Sequence, residues 1–361
     1  SGKRQWRVSY ADTNGKRKRP SFSSWKEADR FRQEIEEKLR KGTYRADAER
    51  MTVKETCEAF LDHCEGRMKR DESMTRKMHT VYKGHVNNHI LHGEHGVGGR
   101  KLSQFTPAAV VDFRDAVREA GVSVVTTRKV LATLHAALEF AIGRDWVATN
   151  AAHAVKVIGA RDEGAKKIVP PSKDALKAIL EKAPPELRLK IMFAALTGLR
   201  ASEQWGLKWA DLDFDAGFVS VSQRIDSYGN EGPTKSKAGV REVPLSDALV
   251  RNLKEHKLAS QFKNPVDFVF ANARGNHTCH DNLIKRHYKP VLEAAEVTGI
   301  NWHSLRHFAV STWIEQGLQP KTVQTYAGHS SLSVTMDRYG HLFPSDEHKS
   351  AMDVIAGELL G

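Results

Sequence analysis

The stretch "TMDRYGHLFP", residues 335–344, holds Tyr339 between Arg338 and Gly340. A tyrosine so placed is either an aromatic packed beside a turn or a nucleophile with cations gathered around it. Upstream, "AGHSS" (327–331) supplies His329, and "HSLRH" (303–307) supplies His303 and Arg306. His303 and Arg306 stand three apart and therefore share one face at the start of a helix. "TGLRASE" (197–203) places Arg200 at the end of an apolar helical pattern, with Glu203 three residues on. An arginine beside a buried helix needs an anionic partner, so Glu203 either pairs with it structurally or faces a ligand with it. "TKSKAGVREVPL" (234–245) sets Lys235 and Lys237 in a turn-rich hairpin.

Together these stretches offer two arginines, a lysine, two histidines and a tyrosine. The sequence has no Asp/Glu cluster for Mg²⁺, no Walker loop and no G-x-S-x-G elbow. A metal-free set rich in positive donors suits a phosphodiester. Two guanidinium forks can hold both non-bridging oxygens and stabilise the charge that builds up in the transition state. A tyrosine hydroxyl, with a pKa of about 10 when free, becomes a nucleophile when its proton is removed or its anion stabilised. The departing 5′ oxygen needs a proton, which a lysine acidified by neighbouring cations can give. A covalent phosphotyrosine conserves bond energy, so rejoining needs no ATP.

Composition agrees with a nucleic-acid partner. The chain of 361 residues is long enough for two or three domains, and its net charge of +12 attracts polyanions. Hydrophobic residues make up 40% and charged residues 28%, as in a soluble globular protein. No apolar run approaches a membrane span, and no signal peptide is visible. Cys57, Cys64 and Cys279 form no CxxC pair or zinc framework and read as reduced thiols of a cytosolic protein.

Along the chain, "QWRVSYAD" alternates as a strand with Trp6, Val8 and Tyr10 on one face, and Asn14-Gly15 turns it into a second strand carrying Lys16, Arg17, Lys18 and Arg19. That basic hairpin suits a DNA groove or phosphate track, or else is a solvated edge that resists aggregation. Ser24 and Glu27 open a helix with Phe31, Ile35 and Leu39 on one side. Residues 52–150 read as all-helical. Thr52 with Glu55 forms a capping box, and Thr106, Pro107 and Gly121 cap, start and stop another helix. A histidine-rich run supplies His85, His89, His92 and His95, of which His85 and His89 stand one turn apart, but no carboxylate or cysteine completes a metal site. After a Gly- and Pro-containing linker, helices are expected near 172–183 and 186–198, strands at "FDAGFVSVSQRI" and "GVREVPLS", and a strand-like stretch at "DFVFAN". The fold expected is mainly α with small antiparallel β-sheets, in several domains.

The motifs, in this order and at these spacings, resemble the tyrosine recombinases of the phage-integrase type, and the resemblance spans nearly the whole chain. It implies Tyr339 as nucleophile, Arg200 and Arg306 as the arginine pair, and Glu203 as the acidic residue that steadies the site. It also implies His303 as the first residue of the H-x-x-R motif, His329 as the second histidine and Lys235 as general acid. Lys237 is a rival for that last role, and Lys235 is preferred for its distance before "VREVPL". The product implied is a 3′-phosphotyrosyl link and a free 5′-hydroxyl, with no cofactor or metal. Ser304 and Ala327 depart from the residues usual in the family, at positions that carry no chemical step. Residues 1–48 resemble an arm-type DNA-binding domain whose first strand would precede residue 1, with Ser1-Gly2 read as a cloning remnant. Residues 52–150 resemble a core-binding domain, 151–171 a linker and 172–344 an α+β catalytic domain. Residues 345–361, capped by Ser345 and bearing Met352, Ile355 and Leu359, resemble a tail helix that docks on a neighbouring subunit. The partners implied are double-stranded DNA at core-type and arm-type sites, a homotetramer working through a Holliday junction, and an excisionase or DNA-bending host factor. The location implied is the cytoplasm and nucleoid of a bacterial host. A type IB-like topoisomerase uses the same residue set, an inactive DNA-binding architectural protein would keep the surface without the chemistry, and a metal-dependent nuclease would use the histidine run.

Overall fold

The computed structural model describes residues 5–12, 15–160, 163, 169–234, 236–343 and 348–360. Asn14, Lys235 and Ser345, each given a part above, lie outside the described residues. The chain divides into two compact units, 1–166 and 167–361.

The first unit opens with a broken hairpin. Strands β1 (Trp6–Arg7), β2 (Tyr10–Ala11), β3 (Arg17–Lys18) and β4 (Ser21–Phe22) pair antiparallel as β1 with β4 and β2 with β3. Pro20 has no N–H to give the ladder, but its carbonyl still accepts from Val8 N at 3.1 Å across the break. Val8 is buried, whereas Trp6, expected on the same strand face, is 40% exposed. Helix α1 (Trp25–Arg40) starts at Ser24, whose hydroxyl accepts from Glu27 N. Only half of the expected capping box forms, because the Glu27 carboxylate takes the Ser23 hydroxyl instead (2.8 Å). Phe31 of α1 packs on Phe22 and Tyr10.

The helical part follows, with α2 (Val53–Lys69), α3 (Arg76–His85), α4 (Pro107–Glu119) and α5 (Val124–Gly143). The Thr52–Glu55 box is reciprocal, with Thr52 N donating to Glu55 Oε2 at 2.8 Å and Glu55 N donating to Thr52 Oγ1 at 3.2 Å. Thr106 caps α4, and Gly121 takes the left-handed backbone (φ +82°) that ends it. Phe60, Ile90, Phe113 and Leu134 fill one core with Cys57 and Cys64. Each such side chain contributes about 1.5–3 kcal/mol on full burial. Burial pushes the Cys57 thiol up to about 12, so it stays protonated. His85 is held by Thr133 (2.8 Å), and the run His85, His89, His92, His95 does not converge.

The second unit carries α6 (Lys173–Lys182), α7 (Pro185–Thr197) and α8 (Ala201–Gly206). It continues with β5 (Leu212–Asp213), β6 (Phe218–Val221), β7 (Gln223–Ile225), β8 (Glu231–Pro233) and β9 (Arg241–Pro244). Then come α9 (Asp247–Ala259), α10 (His280–Leu283), α11 (Lys289–Ala294), α12 (Trp302–Glu315), α13 (Pro320–Ala327), α14 (Leu332–Tyr339) and α15 (His348–Leu360). β6 lies between β5 and β9, and β7 pairs with β8. The fold is thus mostly helical with small antiparallel sheets. "DFVFAN" forms no strand. Val269 and Phe270 are buried in the core, and the segment makes only an isolated bridge from Phe268 to Lys208. No helix among the described residues is long and apolar enough to cross a membrane.

Candidate active site

The site forms where two helix ends meet. Helix α7 ends in Gly198, and α13 ends in Gly328, both in left-handed backbone (φ +61° and +63°). Neither glycine tolerates a side chain. A Cβ on Gly198 would stand 2.8 Å from the Trp313 ring, and one on Gly328 would stand 3.0 Å from the Arg241 guanidinium carbon. The turns expose carbonyls at the negative ends of the two helices, where cations are stabilised.

Two arginines occupy those ends. Arg200 is the residue before α8, and its Nη2 donates to Gly328 O at 2.8 Å. Arg306, 3% exposed on α12, donates from Nη1 to Gly198 O at 2.6 Å and from Nη2 to Ala327 O. Each arginine therefore ties its own helix to another. Burial, then the neighbouring Arg200, lowers Arg306 to about 9, which leaves it cationic at neutral pH. A guanidinium has five N–H donors. These contacts spend two on Arg306, and the contacts of Arg200 to Gly328 and Glu203 spend two more.

One carboxylate anchors Arg200 and ties it to Arg241. Glu203 is 3% exposed. It accepts from Arg200 Nη1 (2.7 Å), from Arg200 N (2.9 Å) and from Arg241 Nη2 (2.9 Å). Burial pushes Glu203 up, but Arg241, Arg200 and the backbone N–H outweigh it and hold the carboxyl below its usual range. Arg241, which sequence reasoning passed over, also donates to Tyr326 O (2.7 Å) and Gly239 O (2.8 Å). It thereby fastens the "TKSKAGVREVPL" segment to the end of α13. Its only signal in sequence was a charged residue inside an apolar strand pattern.

The histidines and the tyrosine complete the cluster. His329 is 5% exposed, shares a hydrogen bond with Thr335 Oγ1 through Nδ1 (2.9 Å) and stacks on the Tyr339 ring. Burial and the arginines Arg306 and Arg200 lower it to about 3. His303 stands at the site's edge, its ring 4.7 Å from that of His307. The surrounding protein, then His307 and Arg306, lowers it to about 4. Tyr339 is 1% exposed and packs with Val310, Ile314, Val323 and Ala327. Its hydroxyl meets His307 Nδ1 at 2.5 Å. Burial raises the Tyr339 pKa, against the opposing pull of Arg306 and Arg338, so the phenol is neutral. Tyr339 is thus a packed aromatic ring whose hydroxyl feels the charges of Arg306 and Arg338.

The structure therefore gathers Arg200, Glu203, Arg306, His329 and Tyr339 in one region, through hydrogen bonds, the His329–Tyr339 stack and the charges of the arginines, with His303 beside it. Arg200 and His303 both line a cavity of about 360 Å³ that also includes Trp205 and His280. Lys237 is exposed in a short 3₁₀ turn, and Lys235 beside it lies outside the described residues. Lys16, Arg17 and Arg19 project from the hairpin into solvent, whereas Lys18 leans toward buried Asp12 (3.9 Å). Ser304 serves as the third residue of a capping box with Asn301, which accounts for its place at the start of α12. Among the described residues, the one group with metal-ligand spacing is His135, Glu139 and His153, in the first unit. Asn150 already donates to Glu139 there (2.7 Å).

Comparison with known proteins follows the same lines. The Phage integrase family profile matches residues 172–346. A tyrosine recombinase XerC-like protein of Caldanaerobacter subterraneus subsp. tengcongensis is 29% identical, over 96% of this chain and 95% of its own length. Tyrosine recombinase XerC of Halalkalibacterium halodurans is 30% identical, over 58% of this chain and 69% of its own length. The integrase of transposon Tn1549, solved in complex with a circular intermediate DNA, superposes with a TM-score of 0.68 at 18% identity, over 85% of this chain and all of that one.

Proposed function

The chain belongs to the phage integrase family of tyrosine recombinases, which break and rejoin DNA strands, and we propose that it integrates and excises a mobile element with Tyr339 as its nucleophile. The observation that carries this reading is the pair of anchored forks near Tyr339: Glu203 and Gly328 O hold Arg200, Gly198 O and Ala327 O hold Arg306, and Arg306 acts on the Tyr339 hydroxyl by its charge. A scissile phosphate held by both arginines would meet that hydroxyl. Attack on phosphorus leaves the DNA 3′ end on Tyr339 and releases a 5′-hydroxyl, whose oxygen takes a proton from Lys235, or from Lys237 as its rival. The arginines neutralise the charge of the transition state, and Glu203 keeps Arg200 from rotating away. His303 and His329 complete the donor set around the phosphate. Reversal with a partner's 5′-hydroxyl rejoins strands without ATP or a metal.

In this reading residues 1–48 bind arm-type sites through Lys16, Arg17, Lys18 and Arg19, residues 52–150 bind the core site, and residues 172–344 cut it. Helix α15 supports assembly of a homotetramer on DNA. Met352 (64% exposed), Ile355 (46%) and Leu359 (78%) leave its apolar residues uncovered within one chain. An uncovered apolar helix favours a strand-exchange assembly over a lone topoisomerase or an architectural binder. A DNA-bending or excision factor would set the direction of the reaction.

The test is covalent trapping on nicked suicide DNA bearing the element's core site, in EDTA, with peptide mapping of the adduct. The expected result is an adduct on Tyr339 in wild type and none in Tyr339→Phe, which still shifts the DNA on a gel. Adduct retained by Tyr339→Phe, or lost from wild type on adding EDTA, would overturn the reading.

A further inference from the structure

Strand cleavage by a tyrosine has two proton problems. The leaving oxygen must gain a proton, and the attacking phenol must lose one. The lysine of the preceding section addresses the first alone. The structure places one group on the second proton. His307 Nδ1 lies 2.5 Å from Tyr339 Oη. The two rings sit 5.8 Å apart at 52°, close enough to bring a ring nitrogen to the hydroxyl. His307 is on α12 immediately after Arg306, so the backbone that aims the arginine also aims the histidine.

We propose that His307 is the general base of this site, taking the Tyr339 proton at Nδ1 as the tyrosine attacks phosphorus. The inference rests on Tyr339 being the nucleophile. The groups facing His307 are His303 and Arg306 on its own helix, and Arg338 and Tyr339 on α14. Burial, then Arg306 and Arg338, lower His307 to about 4. At neutral pH the ring is therefore uncharged, and in its Nε2–H tautomer, the one this role requires, Nδ1 accepts the hydrogen bond that the phenol donates. So weak a base cannot ionise a phenol in advance. Transfer accompanies attack, when the Tyr339 oxygen loses electron density to phosphorus and its proton becomes acidic. The phosphate also brings a negative charge beside the ring, which favours the imidazolium.

The step balances. The Tyr339 O–H bond breaks and a His307 Nδ1–H bond forms. A bond forms from Tyr339 Oη to phosphorus, and the bond from phosphorus to the 5′ oxygen breaks, that oxygen taking the lysine's proton. On rejoining, the imidazolium returns its proton as Tyr339 leaves as a neutral phenol.

The experiment is single-turnover adduct formation on a core-site duplex with sulfur in place of the bridging 5′ oxygen. A thiolate departs without needing a proton, so the rate reports on the nucleophile's side alone. His307→Asn keeps an acceptor for the Tyr339 hydroxyl but has no base. We expect it to cut the rate at neutral pH about 10²–10⁴-fold with gel-shift affinity unchanged. The deficit should shrink about tenfold per pH unit on the alkaline side, as solvent takes over the proton. His307→Ala should lose as much and be partly restored by added imidazole. A His307→Asn rate equal to wild type would overturn the proposal. So would a deficit equal at every pH with no imidazole rescue, which marks a packing role only. Tyr339→Phe separates the two inferences. If it keeps the adduct, the nucleophile assignment fails. If it is dead while His307→Asn is normal, only the base assignment fails.

Discussion

Replacing Glu203 with glutamine probes the pin that holds Arg200 and Arg241. Glu203 is buried, and both of its oxygens accept from cationic groups, one from Arg200 Nη1 and the other from Arg200 N and Arg241 Nη2. Glutamine keeps one acceptor oxygen and turns an NH₂ toward a donor, whichever way the amide is flipped. The side chain of Arg241 is 1% exposed and would be left without its anion. Removing one partner of a buried ion pair costs about 3–5 kcal/mol. That corresponds to roughly a 10²–10⁴-fold change in the unfolding constant of the second unit. The assay is urea unfolding followed by tryptophan fluorescence, fitted with one transition per unit. The pH dependence adds a sharper check. Because Glu203 is depressed in the folded state, its contribution is complete above the unfolded carboxyl pKa of about 4.3 and is lost as pH falls through the folded value. The gap between wild type and Glu203→Gln should therefore be full at neutral pH and close under acid. A variant as stable as wild type at neutral pH, or a gap that persists unchanged in acid, would refute the idea that this carboxylate anchors the site as an anion.

Two further substitutions test the geometry. Gly328→Ala puts a side chain on a residue with φ of +63° and drives its Cβ to 3.0 Å from Arg241 and 3.1 Å from Ala238 O. It should destabilise the second unit by more than about 1 kcal/mol, and an unchanged urea midpoint would show that the turn relaxes freely. Arg306→Lys replaces a planar fork with a point charge that cannot bridge Gly198 O and Ala327 O as the guanidinium does. Adduct formation should fall about 10²–10³-fold with DNA affinity retained, and a near-normal rate would remove Arg306 from the chemistry.

What the sequence made legible followed distance along the chain. Thr52 with Glu55, Thr106 with Pro107, and Gly121 each act within one turn of a helix, so their helices were readable from a few letters. Arg200 with Glu203, and His303 with Arg306, stand three apart, so the placing of each pair together at one helix start was readable locally, whereas the roles given to them came from the resemblance. Trp6 and Val8 differ in burial because alternation says which residues share a face but not where a hairpin breaks, and this one breaks between its two strand pairs. "DFVFAN" looked like a strand because buried apolar residues give the same letters in a loop that crosses a core. Arg241 was missed because its partner Glu203 lies far upstream, and nothing local marks a strand arginine as buried. His307 stands within "HSLRH" with nothing local to mark it, since only the approach of α14 to α12 brings it to Tyr339.

Arg200 and Arg306 have consequences for how this protein can decay. Their guanidinium groups are also mortar, joining α8 and α12 to the carbonyl ends of α13 and α7. Genetic drift that removed either arginine would loosen those joints along with the chemistry proposed for it, and the product would be a damaged protein before it was a silent one. Tyr339 differs. A phenylalanine keeps the packed ring and gives up only the hydroxyl. A descendant that abandons strand cutting but still occupies DNA should therefore carry its lesion at the tyrosine and keep its arginines.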